Sequence, residues 1–210
     1  AVRDLYPEAK ITVDHAVTMH GLLCEVRGHA AFTAQEVKRI ESRMREIVDQ
    51  DAPIVKRRVP LEQAVDTFRE QGYEDKVRLL KYRRREYLVL YSLLGASNYF
   101  YGYMAPSAGY LRYFELIPHP LGFVLSHPRR GAPTQLPRGR GSPKLDAVFL
   151  EYSQWLRALK VSDVGQLNEA IESGRIREVI LVSEALHEQR VAAIAGEIAG
   201  RRDQVRLVLI

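Results

Sequence analysis

Cysteine is almost missing from this sequence of 210 residues, because Cys24 is the single example. One cysteine forms no disulfide within the chain, and it cannot supply the thiolates of a cysteine-rich zinc site. The longest apolar runs, such as Val179–Val182, are far shorter than the roughly 20 residues of a membrane helix. No apolar stretch typical of a secretory signal follows the charged opening residues. We therefore expect a cytoplasmic protein that makes no contact with a membrane.

Acidic residues are missing from one segment, His127–Lys144, whose basic residues are Arg129, Arg130, Arg138, Arg140 and Lys144. Without those five, the 31 lysines and arginines fall to 26, which equals the number of aspartates and glutamates. The entire net charge of +5 is therefore located in this segment, and its prolines and glycines predict a linker. Most such linkers are only solvated, although a basic one can contact phosphates. Any RNA binding is expected to be weak, salt-sensitive and confined to this linker, with four candidate phosphate contacts: Arg129, Arg130, Arg138 and Arg140.

No phosphate-binding loop of the form G-x-x-x-x-G-K-[ST] occurs in the sequence. The most similar segment, Gly139–Lys144, lacks the glycine before its lysine and has Pro143 where the loop needs a backbone N–H donor. The segment Ala105–Gly109 misses the first glycine of the G-x-S-x-G nucleophile motif, and a turn explains it better. We therefore expect the chain itself to have no catalytic residue for phosphoryl or acyl transfer.

Three histidines surround Cys24 in the sequence, at positions 15, 20 and 29. His20 and Cys24 have a spacing found among zinc ligands. The run Gly21–Val26 predicts a strand, however, in which positions four apart are separated by about 13 Å. Surface or half-buried histidines are therefore favoured over a metal site, and no metal is expected.

The clearest predicted helix begins after Thr33, because Thr33 and Glu36 have the spacing of a capping box. Apolar residues then recur at helical spacing from Val37 to Val48. A second helix is predicted from Pro60 to Gly72, and a short third one over Asp75–Lys81.

Short runs rich in β-branched and aromatic residues predict strands at Ile11–Val13, Leu22–Val26, Tyr87–Leu93, Tyr110–Leu116 and Phe123–Leu125. Helices inserted among these strands predict an α+β domain over residues 1–127, followed by the linker over residues 128–144. Residues 145–210 form the third predicted region, with helices over Leu145–Leu159, Val164–Ser173 and Ala185–Ala199 and strands over Val179–Val182 and Val205–Ile210. Its last strand–helix–strand unit would begin a parallel α/β sheet.

Three motifs occur in order in the first region: the opening "LYPEAK", the helix "IE-x-x-M-x-E-I" and the helix "P-x-x-x-A-V-x-x-F". In these motifs the region resembles the editing domain of threonyl-tRNA synthetase. The resemblance implies metal-ligand pairs H-x-x-x-H and C-x-x-x-H, of which the first would lie before Ala1. The second falls on Phe100 and Met104, and neither side chain is a ligand of such a site.

Four residues are candidates for lining the degenerate pocket that this resemblance implies. Lys76 matches a lysine of the editing pocket, and Asn98 lies where the family has an aspartate. Tyr101 and Tyr103 lie in the same segment. They belong to an aromatic cluster, Tyr99–Tyr113, that is interpreted as sheet packing rather than as a base-stacking pocket.

The segments "NYFYGYMAPSAGYLRYFEL", "KLDAVFLEYSQWL", "LNEAIESG" and "VILVSEALHEQRVAAIAGEIA" extend the pattern over nearly the whole chain. Together they resemble uridine kinase-like nucleoside kinases that carry a degenerate editing-like domain ahead of the kinase. This resemblance implies a parent protein that phosphorylates a nucleoside with ATP and magnesium. The residues of that chemistry would follow Ile210, so no cofactor is expected within the chain.

Three functions remain open. The favoured one is a non-catalytic accessory region, regulatory or ligand-sensing, of such a nucleoside kinase. The second is a hydrolase that edits mischarged tRNA, against which Phe100 and Met104 argue. The third is an RNA-binding module that acts through the linker and Lys81–Arg85. The sequence leaves the ligand and the oligomeric state undetermined.

Overall fold

The computed structural model describes residues 1–16, 21–137, 143–204 and 206. The candidate ligand His20, the candidate contacts Arg138 and Arg140, and all of the predicted strand Val205–Ile210 except Arg206 lie outside these residues. The chain divides into two compact units, the first made of residues 1–72 and 85–151 and the second of residues 73–84 and 152–210.

Helices and strands alternate irregularly along the chain, and the predicted α+β class is confirmed. The helices are α1 (Val2–Leu5), α2 (Ala34–Asp49), α3 (Leu61–Glu70), α4 (Glu74–Lys81), α5 (Pro143–Ala158), α6 (Val164–Glu172) and α7 (Ile176–Gly200). The strands are β1 (Lys10–Ala16), β2 (Gly21–Arg27), β3 (Val55–Pro60), β4 (Tyr87–Leu93), β5 (Ala96–Tyr99), β6 (Glu115–His119) and β7 (Gly122–Ser126). Within the described ranges, none of the helices combines the length and the apolar character that a membrane crossing requires.

The first unit contains a four-stranded antiparallel sheet in the order β1-β2-β7-β6. The predicted capping box starts α2: Glu36 N donates to Thr33 Oγ1 at 3.3 Å, and Thr33 N donates to Glu36 Oε2 at 2.8 Å. The apolar face of α2 packs on this sheet in a core with Phe32, Val37, Ile40, Cys24, Leu116 and Phe123. Burial of this face stabilises the helix more than its intrinsic propensity does.

A second antiparallel sheet of the same unit has three strands in the order β3-β4-β5. Helix α3 covers one of its faces, because the ring of Phe68, which is 0% exposed, contacts the ring of Tyr99 on β5. Tyr99 is paired with Leu90 of β4, and residues paired across strands share a face. The alternate residues of β4, Tyr87 and Tyr91, therefore belong to the other face of this sheet.

The second unit is helical, with a small core of Val161, Ala170 and Val179. Ion pairs join α4 to the region of α6. Arg78 lies 3.1 Å from Asp163, and Lys81 Nζ lies 2.9 Å from Glu172.

Two of the predicted strands are wrong in this structure. Val179–Val182 lies inside helix α7, because Val179 N donates to Arg175 O and Ser183 Oγ to Val179 O. Strong helix formers flank that short β-branched run on both sides, and neighbours commonly override strand propensity. Over Tyr110–Leu116 only Glu115 and Leu116 are strand residues, because a 3₁₀ turn over Ala108–Tyr110 comes first.

Candidate functional site

The two residues at the family's second ligand pair lie just after strand β5. Phe100 is 46% exposed, and its ring contacts the ring of Tyr91 edge-on at 6.3 Å between centroids. Met104 is 37% exposed. Among the described residues, no three His, Cys, Asp or Glu side chains converge as a metal site. An aromatic ring and a thioether therefore occupy positions at which the editing domain is expected to carry metal ligands.

Asn98 lies on β5 opposite Tyr91, where the resemblance places an aspartate. Its Oδ1 accepts a hydrogen bond from the backbone N–H of Tyr99 at 2.9 Å. A neutral amide whose oxygen is engaged with the main chain is a poor proton acceptor for hydrolysis.

Lys76 belongs to the second unit, whereas the other three candidate pocket residues belong to the first. It lies on α4 with Nζ 3.7 Å from the centroid of the Tyr73 ring. Burial lowers the pKa of this half-buried amine below its ordinary value. A cation–π contact of this kind is found both in protein packing and in ligand binding, so it does not by itself assign Lys76 to a pocket.

Tyr101 and Tyr103, which follow β5, are exposed, so the interpretation of the aromatic cluster as sheet packing is wrong for these two residues. They have different neighbours. Tyr101 is 90% exposed and contacts Tyr99, whose ring packs on Phe68 of α3. Tyr103 is 94% exposed, and Lys56 Nζ lies 4.8 Å from its ring centroid. The structure therefore associates Tyr103, but not Tyr101, with the sheet face that lies opposite α3.

That face carries cations and aromatic rings in alternation. The guanidinium of Arg58 lies 3.6 Å from the ring centroid of Tyr87, and Lys56 Nζ lies 5.8 Å from that of Tyr91. Tyr91 is buried, and its hydroxyl donates to Gly102 O at 2.8 Å, which holds the backbone next to Tyr103. We call Lys56, Arg58, Tyr87, Tyr91 and Tyr103 the cation–aromatic face.

Sequence reasoning misses this face because strand β3 is absent from the predicted elements. The alternation of side chains along β4 points to half of this face, since Tyr87 and Tyr91 are four residues apart and therefore lie on the same side of the strand. Lys56 and Arg58 join them only through the pairing of Lys56 with Tyr91 and of Arg58 with Val89. A pairing between distant segments leaves no local pattern in a single sequence.

The candidate phosphate contacts Arg129 and Arg130 are exposed near the start of the linker. Ala132 N donates to Arg129 O at 2.9 Å, so the backbone turns there. Arg129 shares an open cleft of about 980 Å³ with the carboxylate-bearing Glu115. An anionic ligand in that cleft would meet both charges.

The segment Lys81–Arg85 is partly occupied by contacts within the second unit. Lys81 donates to the Glu172 carboxylate, and the hydroxyl of Tyr82 donates to the same oxygen at 2.8 Å. The Glu172 carboxylate raises the pKa of Lys81, and Lys81 in turn lowers the pKa of Glu172. Part of this basic segment therefore serves the packing of α4 with α6.

Comparison with known proteins gives one consistent result. No model of a protein family matches the chain. The threonine–tRNA ligases of Paraburkholderia xenovorans and Paraburkholderia phytofirmans are each 32% identical to it over 118 residues, and that of Burkholderia multivorans is 30% identical. Each match covers 56% of this chain but 18% of the ligase. The chain is thus similar to a part of threonyl-tRNA synthetase, and these matches give no support for a nucleoside kinase.

Proposed function

We propose that the first unit is an editing-type domain that binds RNA and does not catalyse metal-dependent hydrolysis. The observation that carries the proposal is the pair Phe100 and Met104, at positions where the resemblance requires a cysteine and a histidine. Zinc-activated hydrolysis needs nitrogen, oxygen or thiolate ligands that converge on one point. A phenyl ring supplies none, and a methionine thioether is not among the usual ligands of zinc, which are Cys, His, Asp and Glu.

The polar chemistry that remains at this position suits recognition better than catalysis. Asn98 is neutral, and its oxygen accepts from a backbone N–H. Exposed aromatic rings and nearby cations are the groups that hold unpaired nucleotides. RNA is the proposed partner because the matched relatives are named as tRNA ligases.

Hydrolysis of mischarged threonine tRNA tests the catalytic half of this proposal. We expect the protein to release the amino acid no faster than buffer alone, with or without added zinc. Zinc-stimulated release that the Asn98→Ala variant abolishes would show an editing hydrolase and overturn the proposal.

Fluorescence anisotropy with a labelled tRNA tests the binding half. We expect an affinity that falls steeply as salt is raised, because contacts with phosphates release counterions. A failure to bind at low salt would remove RNA as the partner and leave an editing-like fold with another ligand.

A second role, as the accessory region of an ATP- and magnesium-dependent nucleoside kinase, stays a prediction. It is favoured by the sequence patterns of residues 145–200, which form helices α5, α6 and α7. The helical state of Val179–Val182 removes one strand of the parallel unit on which it partly depends. Sequencing the gene beyond the codon for Ile210 tests it, because a phosphate-binding loop is expected there and its absence would exclude this parent.

A further inference from the structure

We infer that the cation–aromatic face is a binding surface for single-stranded RNA. The choice of RNA rests on the proposed function, whereas the location of the surface rests on the geometry of the three-stranded sheet. The inference concerns the outer face of β3 and β4 together with Tyr103. These residues lie outside the linker, and only Tyr103 among them is a candidate pocket residue.

The charges of this face are of one sign. Lys56 and Arg58 are exposed and lie two residues apart on β3, so their side chains point to the same side, about 6.8 Å apart along the strand. The sequences of the described strands β3, β4 and β5 contain neither aspartate nor glutamate. A surface with cations and no carboxylate on its strands is complementary to a chain of phosphates.

One ring of this face is placed for stacking, because Tyr91 is buried and the guanidinium of Arg58 lies over the ring of Tyr87. Tyr103 leaves 94% of its surface in water, and an aromatic ring so exposed is available to the flat face of a base. Tyr91 acts as a positioning residue, because its hydroxyl binds Gly102 O immediately before Tyr103. The cation–π contact between Lys56 and Tyr103 places a positive charge beside the stacking ring.

Single strands fit this surface better than duplexes. Stacking on a protein ring requires a base whose face is free, and bases inside a duplex are already stacked on each other. Protein–protein interfaces are depleted in lysine, whereas Lys56 lies beside two of the three rings of this face. The face therefore has the two components of a single-strand platform, a row of cations and a ring to stack on.

A charge-removal experiment tests the electrostatic half. Binding of a fluorescent single-stranded RNA 12-mer is measured for the wild type, for the double variant Lys56→Ser/Arg58→Ser and for Arg57→Ser. Arg57 is the matched control, because it is exposed on the same strand and alternation turns its side chain to the opposite face. We expect the double variant to bind more than about tenfold more weakly in about 50 mM salt, with a salt slope smaller by about 1.4. Arg57→Ser is expected to bind as the wild type does.

A stacking experiment tests the aromatic half with an equally strict control. Tyr103→Ala is expected to weaken binding about 5- to 100-fold, and Tyr103→Phe to retain it, because the ring rather than the hydroxyl stacks. Tyr101→Ala is the control, since Tyr101 is 90% exposed but contacts Tyr99 instead of Lys56. Equal losses for Tyr101→Ala and Tyr103→Ala would show that exposure alone matters and would overturn the assigned face.

The outcomes separate this inference from the proposed function. If RNA binds and the double variant and Tyr103→Ala bind as tightly as the wild type, the inference fails while RNA binding by the domain stands. If the wild type binds no RNA, the proposed partner fails and the inference fails with it. Equal affinity for an RNA duplex would contradict the assignment to a single strand. Circular dichroism of every variant confirms that the fold is intact.

Discussion

The two sheets of the first unit use their second faces in opposite ways. In the four-stranded sheet, Phe123 and Val124 are neighbours on strand β7, so they point to opposite faces, and both are buried. In the three-stranded sheet, Leu88 and Leu90 are buried on the face that α3 covers, whereas the other face carries Lys56 and Arg58 in water. One sheet is therefore packed on both sides at its centre. The other has one packed face and one face that buries Tyr91 but leaves its cations exposed, which we call the open face.

This difference indicates where the molecule gains stability and where it is free to bind. A face buried on folding contributes about 25 cal/mol per Å² of apolar surface. Exposed cations over aromatic rings contribute about 0.5–1 kcal/mol each. Substitutions of the exposed residues on the open face should therefore have little effect on the stability of the fold. The variants below test this contrast, from the largest expected effect to the smallest.

Replacing Phe68 by alanine should have the largest effect. This ring on α3 is 0% exposed and packs against Tyr99 of β5. The substitution therefore removes a large apolar side chain and leaves a cavity. We expect the free energy of unfolding to fall by about 3–5 kcal/mol, as measured by urea denaturation. Tyr103→Ala, on the open side of the same sheet, serves as the control and should change it by less than about 0.5 kcal/mol. Similar losses for the two variants would contradict the contrast between packed and open faces.

The thiol of Cys24 should make the stability of the four-stranded sheet depend on pH at alkaline values. Burial raises the pKa of this thiol from its ordinary value of 9.0 to about 11. Because the pKa is raised in the folded state, the stabilisation is complete below pH 9 and is lost as the pH rises through 11. We expect a loss of about 2 kcal/mol by pH 11 that is missing from Cys24→Ala. Parallel denaturation curves for the two proteins from pH 8 to 11 would contradict this assignment.

Removal of the helix cap at Thr33 should have a smaller effect. Thr33→Ala leaves the N–H of Glu36 without its hydroxyl acceptor, and we expect a loss of about 1 kcal/mol in the free energy of unfolding. Thr134→Ala, at an exposed position in the linker, is the matched control and should be neutral.

The other half of the capping box adds a dependence on pH. Hydrogen bonds from Thr33 lower the pKa of Glu36 below its ordinary value of 4.5. A lowered folded-state pKa gives stability that is present above pH 4.5 and is lost as the pH falls through the lowered value. The wild type should therefore lose stability more steeply below pH 4.5 than Glu36→Gln does. Identical acid denaturation profiles for the two proteins would show that the carboxylate adds nothing.

Elements fixed by local chemistry are the ones that the sequence predicts. The capping box of Thr33 and Glu36 starts α2 at the predicted residue, and Gly72, with φ of +73°, follows α3 as a glycine stop should. Strand β4 is found at its predicted bounds, Tyr87–Leu93, because it is a short apolar run that contains aromatic and β-branched residues.

Elements fixed by pairing or packing are the ones that escape prediction. Strand β3 holds three consecutive cations, which are not typical of strands, and it is extended because it pairs with β4. Val179–Val182 shows the reverse, since a strand-like composition is helical where Val179 packs on Val161 and Ala170. The candidate site follows the same rule, because Tyr103 is evident in the sequence and its partner Lys56 reaches it only through the sheet.

The smallest effect on the free energy of unfolding is expected at the residues on which the proposed RNA binding depends. Lys56 and Arg58 are exposed, and their side chains contribute only cation–π contacts. Lys56 contacts the rings of Tyr91 and Tyr103, and Arg58 contacts the ring of Tyr87. Serine at both positions also removes positive charge from an edge strand and leaves the β3–β4 backbone pairing intact. We therefore expect the double variant to unfold within about 1 kcal/mol of the wild type, while its affinity for single-stranded RNA falls more than about tenfold. Urea denaturation and anisotropy on the same samples measure both quantities. A loss of stability as large as that of Phe68→Ala would mean that these two cations are needed to hold the sheet together. Their role would then be structural, and the contrast between the packed face and the open face would be wrong.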